Sequence, residues 1–241
     1  MLKRNWWKAL CAVMLMYTVI AGFLVEVPSL GGGNLYQSIR NVFYHVPMWF
    51  TMMFMLIMSV CYSVAYLATF KEDYDLKAVE FAKVGVLFSL LGMVTGIEWS
   101  NVTWSSTSSK IILWTSDAKQ ICAAIEILIY LAYFVLRNGI KDDDKRGRIG
   151  AVYNIFAFAM MFPLLLIIPR MSNSSSHPGG TNSNIALDPK DATMAINLVK
   201  LPAYFGWIMM GFWLANIKIR MRRIGLGLDH APLPRTTKAF S

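Results

Sequence analysis

Six long apolar runs, separated by short polar segments, organise this sequence: Trp7 to Val25, Val46 to Phe70, Val79 to Ile97, Ala118 to Leu136, Ile149 to Ile168 and Ala192 to Ile217. Each approaches or exceeds the roughly 20 residues a helix needs to span a hydrocarbon core of about 30 Å. Backbone polar groups in lipid must be satisfied within their own segment, so the runs predict helices rather than open strands. The joining segments leave no room for a separate soluble domain, and no internal repeat is visible. The expected fold is all-α: a polytopic membrane protein with one six-helix domain over residues 1–241.

Composition agrees. The chain is 56% apolar and 15% charged, with a mean hydropathy of +0.47, which lies outside the soluble range. The first run follows a basic start of Lys3, Arg4 and Lys8, as a secretory signal would. It is longer than a signal's apolar core, and no clean small-x-small cleavage site precedes Glu26-Val-Pro28, so it reads as a retained anchor.

The net charge of +9 follows from orientation. Lys71 and Lys77 separate the second and third runs, Lys141, Lys145, Arg146 and Arg148 separate the fourth and fifth, and Lys218, Arg220, Arg222 and Arg223 follow the sixth. The opposite side carries Arg40, Lys110, Arg170 and Lys190. The positive-inside bias therefore predicts both termini in the cytoplasm, with a tail at 218–241. Basic residues spread over several inner segments make membrane lipid, and no nucleic acid, the expected charged surroundings.

Residues 28–45, 98–117 and 169–191 then form the outer loops. The middle one holds Glu98-Trp99 through Trp104 and Trp114 to Asp117, and the other two each supply a histidine, His45 and His177. Indoles make a flat apolar shelf, and imidazoles on either side of it can hold a planar macrocycle by its iron. Tryptophans also gather at membrane interfaces as an anchoring belt, and either histidine alone reads as an ordinary interfacial or solvated residue. Scarcity favours the site, because two of the three histidines flank this loop. His230 lies in the cytoplasmic tail and is assigned nothing.

Two ionisable residues fall inside apolar runs, Glu126 in the fourth and Lys200 in the sixth. An uncompensated charge there costs about 2.5–3.5 kcal/mol on insertion scales, so each should face protein or water. They either pair with each other, or Lys200 reaches outward to an anionic group such as a haem propionate. Pro163 and Pro202 are expected to kink the fifth and sixth helices near the outer face.

Cysteine usage removes several alternatives. Cys11, Cys61 and Cys122 sit in separate helices, with no C-x-x-C pair, no covalent haem motif and no zinc spacing. A solute or ion transporter relaying through Glu126 and Lys200 would call for repeat symmetry, which is absent. A b-type haem electron-transfer subunit needs histidine pairs projecting into the bundle core, and the histidine count allows no more than one such site.

The segment Gly96-Ile-Glu-Trp99-Ser-Asn-Val-Thr-Trp104, closed by Trp114-Thr-Ser-Asp117, resembles the WWD signature of the haem-handling proteins of cytochrome c biogenesis. His45-Val-Pro-Met-Trp49 resembles the first outer histidine motif of the CcmC branch, and Ser176-His177-Pro178-Gly179 resembles the second in variants from Bacteroidetes-like bacteria. The likeness extends over nearly all the chain. Ser105 to Lys110 is richer in Ser and Thr than the signature, and Ser116 stands where another Trp is common. The related CcmF and CcsA proteins carry further histidines deep in helices, which this chain lacks.

The resemblance implies a bacterial inner-membrane protein that is not an enzyme in the bond-changing sense, with lyase-like assistance of haem attachment left open. It would bind haem b non-covalently and transiently at the periplasmic face and pass it to a periplasmic haem chaperone resembling CcmE. An ATP-binding-cassette pair resembling CcmA and CcmB, with a small helper resembling CcmD, would drive release. His45 and His177 would be the axial iron ligands, and Trp99, Trp104, Trp114 and Asp117 the shelf. Arg170, Lys110 and Lys200 are positioned to pair with the propionates.

Overall fold

Across residues 5–27, 35–104, 117–171 and 194–227, which the computed structural model describes, the elements are helical and no strand occurs. They are α1 (Trp6–Leu24), α2 (Leu35–Ser38), a 3-10 turn (Ile39–Phe43), α3 (His45–Thr69), α4 (Glu72–Trp104), α5 (Ala118–Gly139), α6 (Asp143–Phe162), a π-helical turn (Pro163–Ile167), α7 (Ile168–Met171) and α8 (Met194–Gly225). Six helical segments are long and apolar enough to cross a membrane, as the hydrophobic pattern requires.

Helix ends differ from the apolar runs. The third expected span, Val79 to Ile97, is the middle of a 33-residue helix. Its polar start, Glu72, Asp73 and Asp75, is helical because acidic residues suit a helix N-terminus, and Asp73 and Asp75 meet Arg223 and Arg137 from other helices. At its far end residues 98–104, expected in the outer loop, continue the helix to Trp104. The first outer loop likewise contains α2 and the 3-10 turn, and α8 reaches Gly225 rather than stopping at Ile217. Polar residues do not end a helix where water can solvate them.

The core forms where α3 packs most extensively on α4, through Met48, Met52, Met55 and Leu56 against Val84 and Phe88. α6 and α8 flank α3, while α1 leans on α8 and α5 on α6. Outward-facing Phe23, Leu24, Val94 and Val135 are exposed, as expected of helices whose outer face meets lipid. Apolar contact does not bind helices in lipid, and a buried polar cluster adds directional contacts. Asn154 of α6 donates to the Ser59 and Ser63 hydroxyls of α3 at 2.8 Å each, and Ser59 donates to the Ala78 carbonyl of α4 at 2.6 Å. At Pro163 the missing N–H and the ring's clash with the preceding turn convert α6 into the π-helical turn, whereas Pro202 lies inside a continuous α8.

One end of the bundle is rich in ion pairs. Arg137 of α5 binds Asp75 of α4 with two parallel bonds of 2.9 and 2.6 Å. Arg223 of α8 pairs with Asp73, and Glu80 accepts from Lys83 at 2.7 Å. Arg137 is nearly buried, so Asp75→Asn strands its charge. We expect a loss of about 3 kcal/mol, seen as a lower melting temperature of the detergent-solubilised protein; an unchanged value would contradict it.

Candidate functional site

The other end of the bundle holds His45, the first residue of α3. Pro47 stands in the opening turn of that helix, where its missing N–H costs nothing. The preceding 3-10 turn is tied down from three sides. Arg40 donates to the Gly22 and Val25 carbonyls at the end of α1, at 2.7 and 2.9 Å. Asn41 donates to the Thr95 carbonyl of α4 at 3.0 Å, and Phe43 is buried against Ile196 and Val199 of α8. The position of the imidazole is thus fixed by α1, α4 and α8 together.

α4 presents a matching surface, Gly92-Met-Val-Thr-Gly96, a pair of glycines one turn apart. A Cβ at Gly96 would lie 2.8 Å from His45 Cε1, and one at Gly92 would lie 2.8 Å from Trp49 Cε2. Both rings of α3 therefore rest on bare backbone of α4. Between the glycines, Thr95 Oγ1 stands 3.1 Å from His45 Nδ1. That hydroxyl donates its single hydrogen to the Leu91 carbonyl at 2.8 Å, with the Gly92 carbonyl at 3.1 Å, so it accepts from His45 Nδ1–H. Trp49 Nε1–H donates to His45 Nε2 at 3.3 Å, the rings lying nearly perpendicular at 79°. The imidazole is thereby assigned as the neutral Nδ1–H tautomer, whose Nε2 lone pair is the metal-ligating one.

Those of the other anticipated residues that are described fall at the same end. Trp99 lies on α4 one turn beyond Thr95 and is half-buried; Trp104 is the last residue of α4. Both are helical rather than in a loop. Asp117 is buried and caps α5, accepting from the Lys119 N–H at 2.7 Å. This gives it a structural role, about 1 kcal/mol for a typical N-cap. Arg170 is exposed on α7 and donates to the Leu166 carbonyl at 2.8 Å. Lys200 is buried in α8. His177, Trp114 and Lys110 lie outside the described residues.

The anticipated alternative of a Glu126–Lys200 pair is not formed. Among the described residues, both carboxyl oxygens of Glu126 are buried without a hydrogen-bond partner. The three cysteines are free and sit in α1, α3 and α5.

Sequence reading missed Thr95 and the contact between Trp49 and His45. The glycine pair was the available signal, since small residues four apart mark close approach to a helix. The charge asymmetry persists in three dimensions. Among the described residues the His45 end has Arg40, Lys119, Arg170 and Lys200 as its cations. The opposite end gathers Lys77, Lys83, Arg137, Lys218, Arg222 and Arg223.

Residues 2–224 match the family described as heme exporter protein C. The chain is similar to the heme exporter protein C of Haemophilus influenzae, 22% identical over 88% of this chain and 81% of that one. It is similar to that of Rhodobacter capsulatus, 23% identical over 88% of each. The likeness to the Bradyrhizobium diazoefficiens protein is 26% identity, spanning 53% of this chain and about half (46%) of that relative's length.

Proposed function

This chain belongs to the heme exporter protein C family, and on that premise we propose that it handles haem for cytochrome c biogenesis, binding it through His45 at one membrane face. The observation that carries this reading is the pair of contacts on His45: Thr95 Oγ1, its own hydrogen given to the Leu91 carbonyl, accepts from Nδ1–H, which makes Nε2 the nitrogen with a lone pair to offer iron.

His177 is the second axial ligand in this proposal. Trp99, Trp104 and Trp114 cover the ring by stacking in this proposal, and Asp117 starts α5. Arg170, Lys110 and Lys200 pair with the propionates in this proposal. The cation-rich end lies in the cytoplasm by the positive-inside rule, which turns the His45 end to the periplasm of a bacterial inner membrane. Haem b is bound without a covalent link and passes to a chaperone resembling CcmE, with partners resembling CcmA, CcmB and CcmD.

When bound, haem supplies only an iron to be ligated and two carboxylates to be neutralised. The chain's own residues orient the imidazole, cover the ring and leave an edge for the acceptor. Expressed in a bacterium lacking its own family member, the chain is expected to restore holo-cytochrome c and haem on the chaperone. With Trp99, Trp104 and Trp114 all changed to Leu, the protein should insert at wild-type levels yet leave the chaperone unloaded. Normal loading by that variant would reduce the three indoles to an interfacial anchor.

A further inference from the structure

Two features of the His45 contact are unused by simple ligation. The nitrogen that would meet iron already accepts a hydrogen bond, from Trp49 Nε1–H at 3.3 Å. The donor sits one helical turn further along α3, with its indole against the Gly92 backbone and partly packed on the core formed by α3 and α4. An N–H pointing at Nε2 and an iron atom bound at Nε2 exclude each other, because both use the same lone pair.

We propose that Trp49 is a gate on the His45 ligand: its indole N–H occupies Nε2 until haem arrives and reclaims it as haem leaves. The inference rests on the reading of His45 as the iron ligand and assigns Trp49 a part distinct from the stacking shelf. It makes chemical sense in a protein that must release what it binds. A competing internal donor lowers the net affinity by the strength of one hydrogen bond and offers Nε2 a partner at the moment the iron departs. The Thr95 contact acts in the opposite sense, since it holds the ring in the ligating tautomer whether or not iron is present. Trp49 is a positioning residue here, acting on haem through His45.

The test uses the full-length protein in detergent and starts without haem. Diethyl pyrocarbonate acylates an unprotonated imidazole nitrogen, and peptide mass spectrometry reports the rate at His45. Trp49→Phe keeps a ring and loses the N–H, so the acylation rate should rise. Hemin titration should then show affinity raised by about two- to tenfold, the equivalent of one neutral hydrogen bond. Transfer of haem to apomyoglobin should slow by a similar factor. Trp49→Leu, which also lacks the donor, should move both readouts the same way, and Thr95→Val should move the affinity down.

A merely structural Trp49 predicts the reverse, because lost packing loosens the site and weakens haem binding. Unchanged acylation, or affinity that is equal or lower in the two Trp49 variants, overturns the gate while leaving His45 as ligand if His45→Ala still loses haem. A His45→Ala protein with wild-type haem content removes the ligand reading itself, and the gate with it.

Discussion

His45→Ala is expected to strip haem from the purified protein. Removing an outer-shell partner of a metal ligand costs about 10- to 100-fold in affinity, and removing the ligand should cost at least as much. The Soret band should weaken and shift towards that of singly ligated iron. Millimolar imidazole should restore the spectrum by occupying the vacated position, because the Thr95 hydroxyl that oriented His45 Nδ1–H remains to receive its N–H. Full haem content in the variant, with a wild-type spectrum, would show that iron is held elsewhere. Thr95→Val provides the graded comparison: the ligand is present but its tautomer and ring plane are no longer held, so affinity should fall by less than in His45→Ala.

The contrast between what was and was not legible in the sequence has a physical origin. Spans are legible because lipid imposes a one-dimensional rule: about 20 consecutive apolar residues, whatever they pack against. All six apolar runs accordingly became helices. Helix ends are not legible by that rule, since polarity at a membrane surface is compatible with helix and loop alike. Asp73 and Asp75 looked like loop residues, yet each meets an arginine, Arg223 and Arg137, from a helix more than 60 residues away in sequence. Trp99 was placed in a loop for the same reason, and the placement matters. On a helix its ring has a fixed register with Thr95 and Gly96; in a loop it would have none.

At the candidate site, His45 stands out in the sequence by scarcity and by its place at the mouth of a span. Its partners were not. Thr95 is 50 residues away, and an isolated threonine in an apolar helix carries no signal. Trp49 was visible beside His45 in sequence, but only the helical turn shows that its N–H reaches Nε2. The Gly92 and Gly96 pair did carry information. A glycine pair four apart commonly lets two helix backbones approach, and here the space is filled by two rings of α3.

That use of glycine sets the last expected result: Gly96→Val should abolish His45-dependent haem binding without changing His45. A Cβ at this position lies 2.8 Å from His45 Cε1 and 3.4 Å from Nδ1, and the valine methyl groups extend further. A contact that short cannot be accommodated by a fixed ring, and the turn carrying His45 is tied to α1 and α4 by Arg40 and Asn41. The imidazole must rotate away, breaking the Thr95 contact, so haem affinity should drop towards that of His45→Ala. Insertion should be preserved, since replacing a helical glycine removes its backbone entropy cost of roughly 0.5–1 kcal/mol relative to alanine. Gly139→Val is the control, because nothing lies within 4 Å of a Cβ there. The decisive comparison is the double variant. If Gly96→Val acts through the imidazole, adding it to His45→Ala should change affinity by less than about twofold, the scatter expected of uncoupled sites. A further large loss in that background would mean that valine at 96 damages α4 itself, and the glycine would then owe its place to helix packing rather than to the histidine.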